Sequence, residues 1–183
     1  MAIGPELKSP SSQGSELKHE GDLRKTYWTP RRVARMAIFV ALSAVGALIK
    51  IPSPTGTVAL DSCPGYFSAI SFGWLEGGIV AAIGHIFTAA TTGFPLSVPI
   101  HILVAVEMAV FAAAFWWINK KLGVITAIIV ATFLNGVVAA FVMVPIGGMG
   151  LALGLLAPLT VGSAVNIIIA AVAYAIVKRS NMI

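Results

Sequence analysis

The sequence is short of charge and of cysteine. Only 10% of its 183 residues are Asp, Glu, Lys or Arg, whereas an average soluble domain has about 25%. Only eleven of these charged residues lie between Trp28 and the end of the sequence. So few charges cannot cover the surface of a water-soluble globule, which excludes a cytosolic enzyme. The one cysteine, Cys63, excludes a secreted scaffold held by intrachain disulfides.

What the sequence has instead is long apolar runs, which make up most of its 58% hydrophobic residues. The net charge of +5 does not indicate a nucleic-acid partner. Basic residues stand at the ends of the apolar runs, whereas a nucleic-acid protein would group them into a groove or patch. The sequence therefore predicts an all-α, polytopic protein of the cell membrane, with the lipid bilayer as its solvent.

Six apolar segments are candidates for membrane spans, which need about 20 residues each. They are 33–51, 62–74, 77–92, 98–118, 124–144 and 155–177. The second is short and contains Pro64 and Gly65. Pro145 and the glycines after it are predicted to form a loop between the fifth and sixth helices. Residues 27–183 are thus expected to form one transmembrane substrate-binding domain of six helices.

The first 26 residues differ in kind from the rest. They hold four acidic and four basic residues and almost no apolar periodicity. Such a segment cannot bury enough surface to offset its ordering entropy. It lacks the apolar core of a signal peptide. We expect a disordered cytoplasmic arm, and leave open that part of it is an artificial leader.

The distribution of Lys and Arg predicts the orientation. Basic clusters precede the first helix (31–35), separate the fourth from the fifth (120–121) and follow the sixth (178–179). With six spans all three clusters fall on one side of the membrane. By the positive-inside rule both termini are expected in the cytoplasm.

Four polar side chains are expected at a similar depth, on four different helices. His85, Glu107, Asn135 and Asn166 each lie eight to ten residues from the outer end of their helix, or about 12 to 15 Å below the surface. Polar groups in a membrane usually face the bundle interior and mark a site. Thr88 extends this layer by one turn, and His101 and Asp61 are expected nearer the mouth. The pattern predicts a binding pocket open to the outside.

Four of these residues also have a structural explanation. Either Asn can join two helices, His85 can bond a backbone carbonyl, and His101 can belong to an interfacial loop. Catalytic signatures are missing: the sequence has no HExxH, GxSxG, SxxK or Walker motif. We therefore expect no enzyme activity, no metal and no cofactor, and interpret the chain as a binding or transport protein.

The first helix carries two small residues one turn apart, Ala37 and Ala41, a spacing that lets another helix approach closely or serves packing inside the bundle. With six helices, cytoplasmic termini and a Pro/Gly-rich loop after the first helix, the chain resembles the substrate-binding S components of energy-coupling factor (ECF) vitamin transporters. The resemblance implies that Ala37 and Ala41 dock on the transmembrane T component, and that two cytoplasmic ATPases supply the energy.

Particular stretches are similar to the subfamily assigned to α-ribazole, a precursor used in cobalamin biosynthesis. They are ALSAVGALIKIPSP from Ala41, VALDSCPG from Val58, Gly84-His85, GFPL from Gly93 and Pro99-Ile-His101. The resemblance implies capture of α-ribazole outside the cell, with Phe94 able to stack on its ring system. The alternatives are another vitamin, such as riboflavin or thiamine, and a self-sufficient small transporter or channel.

Overall fold

Six helices and one short hairpin make up the described residues, 28–53 and 56–181 of the computed structural model. In chain order the elements are α1 (Pro30–Gly46), β1 (Lys50–Ser53), β2 (Gly56–Ala59), α2 (Cys63–Phe72), α3 (Trp74–Thr91), α4 (Val98–Leu122), α5 (Val124–Val142) and α6 (Val144–Arg179). The strands pair antiparallel. The predicted all-α fold with six helices is confirmed. The predicted N-terminal arm, 1–26, lies outside the described residues.

The helices present apolar side chains outwards. Ile125, Ile129 and Ile176 are each more than 60% exposed. Three helices, α4, α5 and α6, are long and apolar enough to cross a membrane. Helices α1 and α3 are shorter than these, with 17 and 18 residues. The chain divides into two compact units, 1–35 and 36–183. The core and the cavity described below belong to the second unit.

The first helix ends earlier than predicted. The apolar run favours a helix as far as Ile51, but α1 stops at Gly46 and Ile51 belongs to β1. A Cβ atom at Gly46 would overlap the carbonyl oxygen of Leu60, so the returning chain packs directly on this turn. The Leu60 N–H then donates to the carbonyl oxygen of Ile49 over 3.1 Å. The predicted loop is therefore a hairpin that begins within the apolar run.

The second helix is half the length of a membrane span. It has 10 residues and is followed at once by α3, with the chain turning at Gly73. Gly73 has φ 132°, a value that side-chain-bearing residues rarely adopt. The two helices pack so closely that a Cβ atom at Gly65 would lie 2.7 Å from that of Ala81. Hence α2 and α3 form a tight antiparallel pair.

A glycine-rich loop was predicted between the last two helices, and the structure has a break there only at Gly148, where two helical stretches meet at a kink. Pro145 starts α6 instead of ending α5, since proline suits the first turn of a helix. Only Gly148 departs from helical geometry, with φ 74°. A π-helical turn, Leu134–Val138, interrupts α5. Such turns often occur at functional sites.

Candidate functional site

A cavity opens between the loop after β2 and helices α3 to α6, and it encloses about 930 Å³ when its mouth is included. Seven of the eight predicted binding residues line it: Asp61, His85, Thr88, His101, Glu107, Asn135 and Asn166. The eighth, Phe94, is not part of the lining. Its ring contacts that of His101, with centroids 5.7 Å apart.

The short α2 explains why the cavity exists. Helices α2 and α3 meet at Gly73, but α2 has 10 residues and α3 has 18. At 1.5 Å per residue, α2 therefore starts about 12 Å below the far end of α3. The space above its first turn is lined by α3 to α6, and the residues just before it, Asp61 and Ser62, form part of the floor.

One wall of the cavity carries a pair of histidines from neighbouring helices. The Nε2 atom of His85 lies 3.2 Å from the Nδ1 atom of His101, and the rings are 5.3 Å apart. One nitrogen must donate and the other accept, so the two rings cannot both be protonated at these atoms without losing the bond. The two side chains bond each other, so this contact is not a bond from His85 to a backbone carbonyl. His101 lies in α4, so it does not belong to an interfacial loop.

Two polar atoms on α4 are buried without a partner among the described residues. They are Nε2 of His101 and Oε2 of Glu107. Buried polar groups are nearly always hydrogen-bonded, so an unpartnered one needs an explanation. Both residues line the cavity. A ligand that fills it can supply the missing bonds.

Asp61 lies in the loop between β2 and α2, outside the helices. Burial raises the pKa of its carboxyl to about 6, although hydrogen bonds from the Thr88 hydroxyl and from the backbone of Asp61 and Ser62 act in the opposite direction. The Thr88 hydroxyl is also 3.2 Å from the carbonyl oxygen of Gly84. Because it has one proton to donate, it can serve only one of these acceptors at a time.

We expect Asp61→Asn to be more stable than the wild type at neutral pH. The folded protein holds the Asp61 proton more tightly than the unfolded chain, so the contribution of Asp61 to stability falls as pH rises from about 4 to 6 and is then constant. A shift of about two pKa units corresponds to about 3 kcal/mol. Thermal unfolding in detergent between pH 4 and 7.5 measures this. A gap between the two proteins that does not widen with pH would contradict it.

Asn166 has a structural role that its position in the sequence did not distinguish. Its Oδ1 accepts from the Cys63 N–H over 2.7 Å, and its Nδ2 donates to the carbonyl oxygens of Ala59 and Gly162 over 3.2 and 2.8 Å. The side chain therefore joins the end of β2 and the start of α2 to α6. Although it borders the cavity, both amide protons are already used.

Asn135 borders the same cavity from the π-helical turn of α5. The turn lies against α6, where a Cβ atom at Gly136 would come within 2.7 Å of the Thr160 backbone. Among the described residues, the Asn135 amide has no hydrogen bonds to backbone groups like those that hold Asn166. The Asn135 side chain interacts with the Tyr66 hydroxyl, and its amide has further donor and acceptor positions that a ligand can use.

The apolar part of the cavity lining was not predicted from the sequence. Met143, Leu155 and Leu159 line it together with further apolar side chains of α4 to α6. A signal was present, because Leu155 and Leu159 lie on the same helical face as Asn166, and Ala139 and Met143 follow Asn135 at intervals of four. The cavity lining thus combines polar and apolar side chains, and α4, α5 and α6 each contribute both kinds.

Ala37 and Ala41, the predicted docking residues, are both exposed on α1. Their larger neighbours Ile38 and Val45 are each 60% exposed. The described part of the second unit therefore leaves this face of α1 uncovered. Internal packing, the alternative explanation of the two alanines, does not fit their exposure.

The described residues contain no group of three or more His, Cys, Asp or Glu arranged to hold a metal ion. The cavity thus offers hydrogen-bonding groups and apolar surface, a combination suited to reversible binding of a small organic molecule.

Comparisons with known proteins agree with this arrangement. A family model described as "ECF transporter, substrate-specific component" matches residues 31–178. Among solved structures, the S component of a bacterial ECF transporter matches with a TM-score of 0.60 and 20% sequence identity, over 83% of this chain and 95% of that one. At this identity the structural match concerns the fold. No curated protein matches significantly.

Proposed function

Because the chain belongs to the family of substrate-specific components of ECF transporters, we propose that it captures a vitamin precursor, α-ribazole, from outside the cell. In this proposal a T component and two cytoplasmic ATPases complete the importer and deliver the ligand inwards. The observation that carries it is the cavity: seven of the binding residues predicted from the sequence border one pocket whose lining combines polar and apolar side chains.

The polarity of the cavity suits this ligand. α-Ribazole joins an apolar, weakly basic dimethylbenzimidazole to a ribose. The ring system would lie against the apolar side chains of Leu155 and Leu159, and the ribose hydroxyls would face Glu107, His101 and Asn135. Hydrogen bonds of this kind gain strength in a partly dry site. Phe94 would act through its contact with the His101 ring.

The exposed face of α1 suits a helical partner. Ala37 and Ala41 stand one turn apart on the surface, and small residues at this spacing allow helix axes to approach closely. We assign this face to the T component. We also propose that both termini are cytoplasmic, because this places the basic clusters at 31–35, 120–121 and 178–179 on the inner side.

Calorimetric titration of the purified protein in detergent tests the substrate. None of the four tryptophans lines the cavity, so heat is a more direct signal than their fluorescence. The panel is α-ribazole, riboflavin, thiamine and cobalamin. We expect binding of α-ribazole and at least 100-fold weaker binding of the other three. Tight binding of a different compound, with none of α-ribazole, would refute the choice of substrate.

A pair of variants on α5 locates the binding site. Asn135→Ala removes an amide that borders the cavity, and we expect it to weaken α-ribazole binding at least tenfold, since a lost hydrogen bond to a buried group costs about 1 to 3 kcal/mol. Thr126→Ala is the matched control, because Thr126 is on the same helix but bonds the Leu122 carbonyl outside the cavity. Equal losses in both variants would contradict this location.

A further inference from the structure

The charged and titratable groups around the cavity are unbalanced in sign. Two carboxyl groups, Asp61 and Glu107, and two histidines border it, and no Lys or Arg of the described residues does. The nearest basic residue along the chain to any of the four, Lys50, is exposed and is not part of the lining. An anionic ligand would therefore enter without a permanent counter-charge.

The histidine pair does not fully supply the positive charge that an anionic ligand would need. His85 and His101 share a hydrogen bond of 3.2 Å between ring nitrogens. Two protonated rings at that distance would repel each other and lose the bond, so the pair carries at most one positive charge. One such charge faces two carboxyl groups. The balance still disfavours an anion.

The first turn of α2 is the other feature that can attract an anion, because helix N-termini carry partial positive charge. Here it is already occupied. The Cys63 N–H donates to Asn166 over 2.7 Å, and the Ser62 N–H donates to the Asp61 carboxyl. The Cys63 N–H is thus bonded to a protein amide, and the Asp61 carboxyl lies beside the start of the helix, where it opposes a second anion.

From this lining we infer that the cavity selects its ligand by charge: it accepts a neutral or cationic hydroxylated molecule and excludes the phosphate ester of the same molecule. A phosphate dianion buried there would lose its hydration and gain no permanent cation. The unpartnered Oε2 of Glu107 can instead accept a hydrogen bond from a hydroxyl or N–H donor of the ligand. The inference rests on the proposed function of this cavity.

Titration with matched pairs tests the inference. The pairs are α-ribazole and its 5′-phosphate, riboflavin and its 5′-phosphate, and thiamine and its monophosphate. For every parent compound that binds, we expect its ester to bind at least 100-fold more weakly. An ester that binds within tenfold of its parent would overturn charge selection. Binding of the riboflavin or thiamine pair alone would refute α-ribazole and still test the selection. Failure of all six compounds would refute both proposals.

Charge variants show whether the acids cause the discrimination. We expect Asp61→Asn and Glu107→Gln each to reduce the ratio of parent to ester affinity at least fivefold. Thr92→Lys places a cation in the cavity lining and should improve ester binding without any change to the acids. Glu76→Gln is the matched control, because Glu76 is the remaining acid of the described residues and lies outside the lining. An unchanged ratio in all three cavity variants would refute the inference.

Discussion

Replacing Ala37 and Ala41 with tryptophan is expected to reduce uptake by the assembled transporter to background while ligand affinity stays within twofold of the wild type. Both alanines are exposed on α1 and do not border the cavity. A methyl group permits close contact with a partner helix, whereas an indole holds the two axes apart by several ångströms. Uptake of labelled ligand into proteoliposomes containing the T component and ATPases measures the first quantity, and calorimetry in detergent the second.

An exposed alanine elsewhere provides the control for this experiment. Ala175 lies on α6 and is also exposed, so Ala175→Trp adds the same bulk to another surface. We expect it to retain more than half of wild-type uptake. If Ala175→Trp stopped uptake as completely, the effect would reflect bulk in the bilayer. If the Ala37 and Ala41 variants transported normally, α1 would not be the docking face.

The second large effect is expected at Asn166, where alanine should destabilise the fold by about 3 kcal/mol or more. Removal of the amide leaves the Cys63 N–H and the Ala59 carbonyl without the partner that Asn166 provides, and each such buried group costs about 1 to 3 kcal/mol. For a chain of this size that corresponds to a fall in Tm of about 6 to 12 °C. Thermal unfolding of the ligand-free protein in detergent measures it.

Two further variants separate stability from binding. Asn166→Asp keeps an acceptor for the Cys63 N–H but places a carboxyl oxygen against the carbonyl oxygens of Ala59 and Gly162, so its Tm should fall at least as far as that of Asn166→Ala. Asn135→Ala should lower the Tm less than Asn166→Ala does, because the interaction it removes is with the Tyr66 hydroxyl and no backbone group of the described residues depends on it. An equal fall in Tm at both asparagines would contradict the division of roles between them.

Much of the site was predictable because depth in a membrane follows from counting residues along a helix. His85, Glu107, Asn135 and Asn166 were grouped on that basis, and all four border the cavity. Counting residues along a helix could not show which partner each polar side chain bonds. Whether Asn166 meets ligand or backbone depends on β2 and α2, which are more than 100 residues away in the chain.

The errors in the fold have a common cause. Hydropathy describes which segments can be buried in lipid, and it says little about where the backbone bends within an apolar run. The chain returns close to Gly46, at Leu60, where α1 ends, and the glycine-rich stretch is helical on both sides of a kink at Gly148. Proline and glycine were interpreted as ends of helices, whereas Pro145 lies in a first turn, where it favours a helix.

The alanines of α5 give the π-helical turn a geometric meaning. Ala127, Ala131, Asn135, Ala139 and Met143 are all buried and recur at intervals of four. An ideal α-helix turns about 100° per residue, so a stripe of this period would drift about 40° per step and about 160° over its length. The wider turn at Leu134–Val138 offsets part of that drift. The π-helical turn therefore keeps Ala139 and Met143 closer to the face of α5 that carries Asn135. Which side chains line this part of the cavity thus depends on the number of residues in one helical turn as well as on which residues they are.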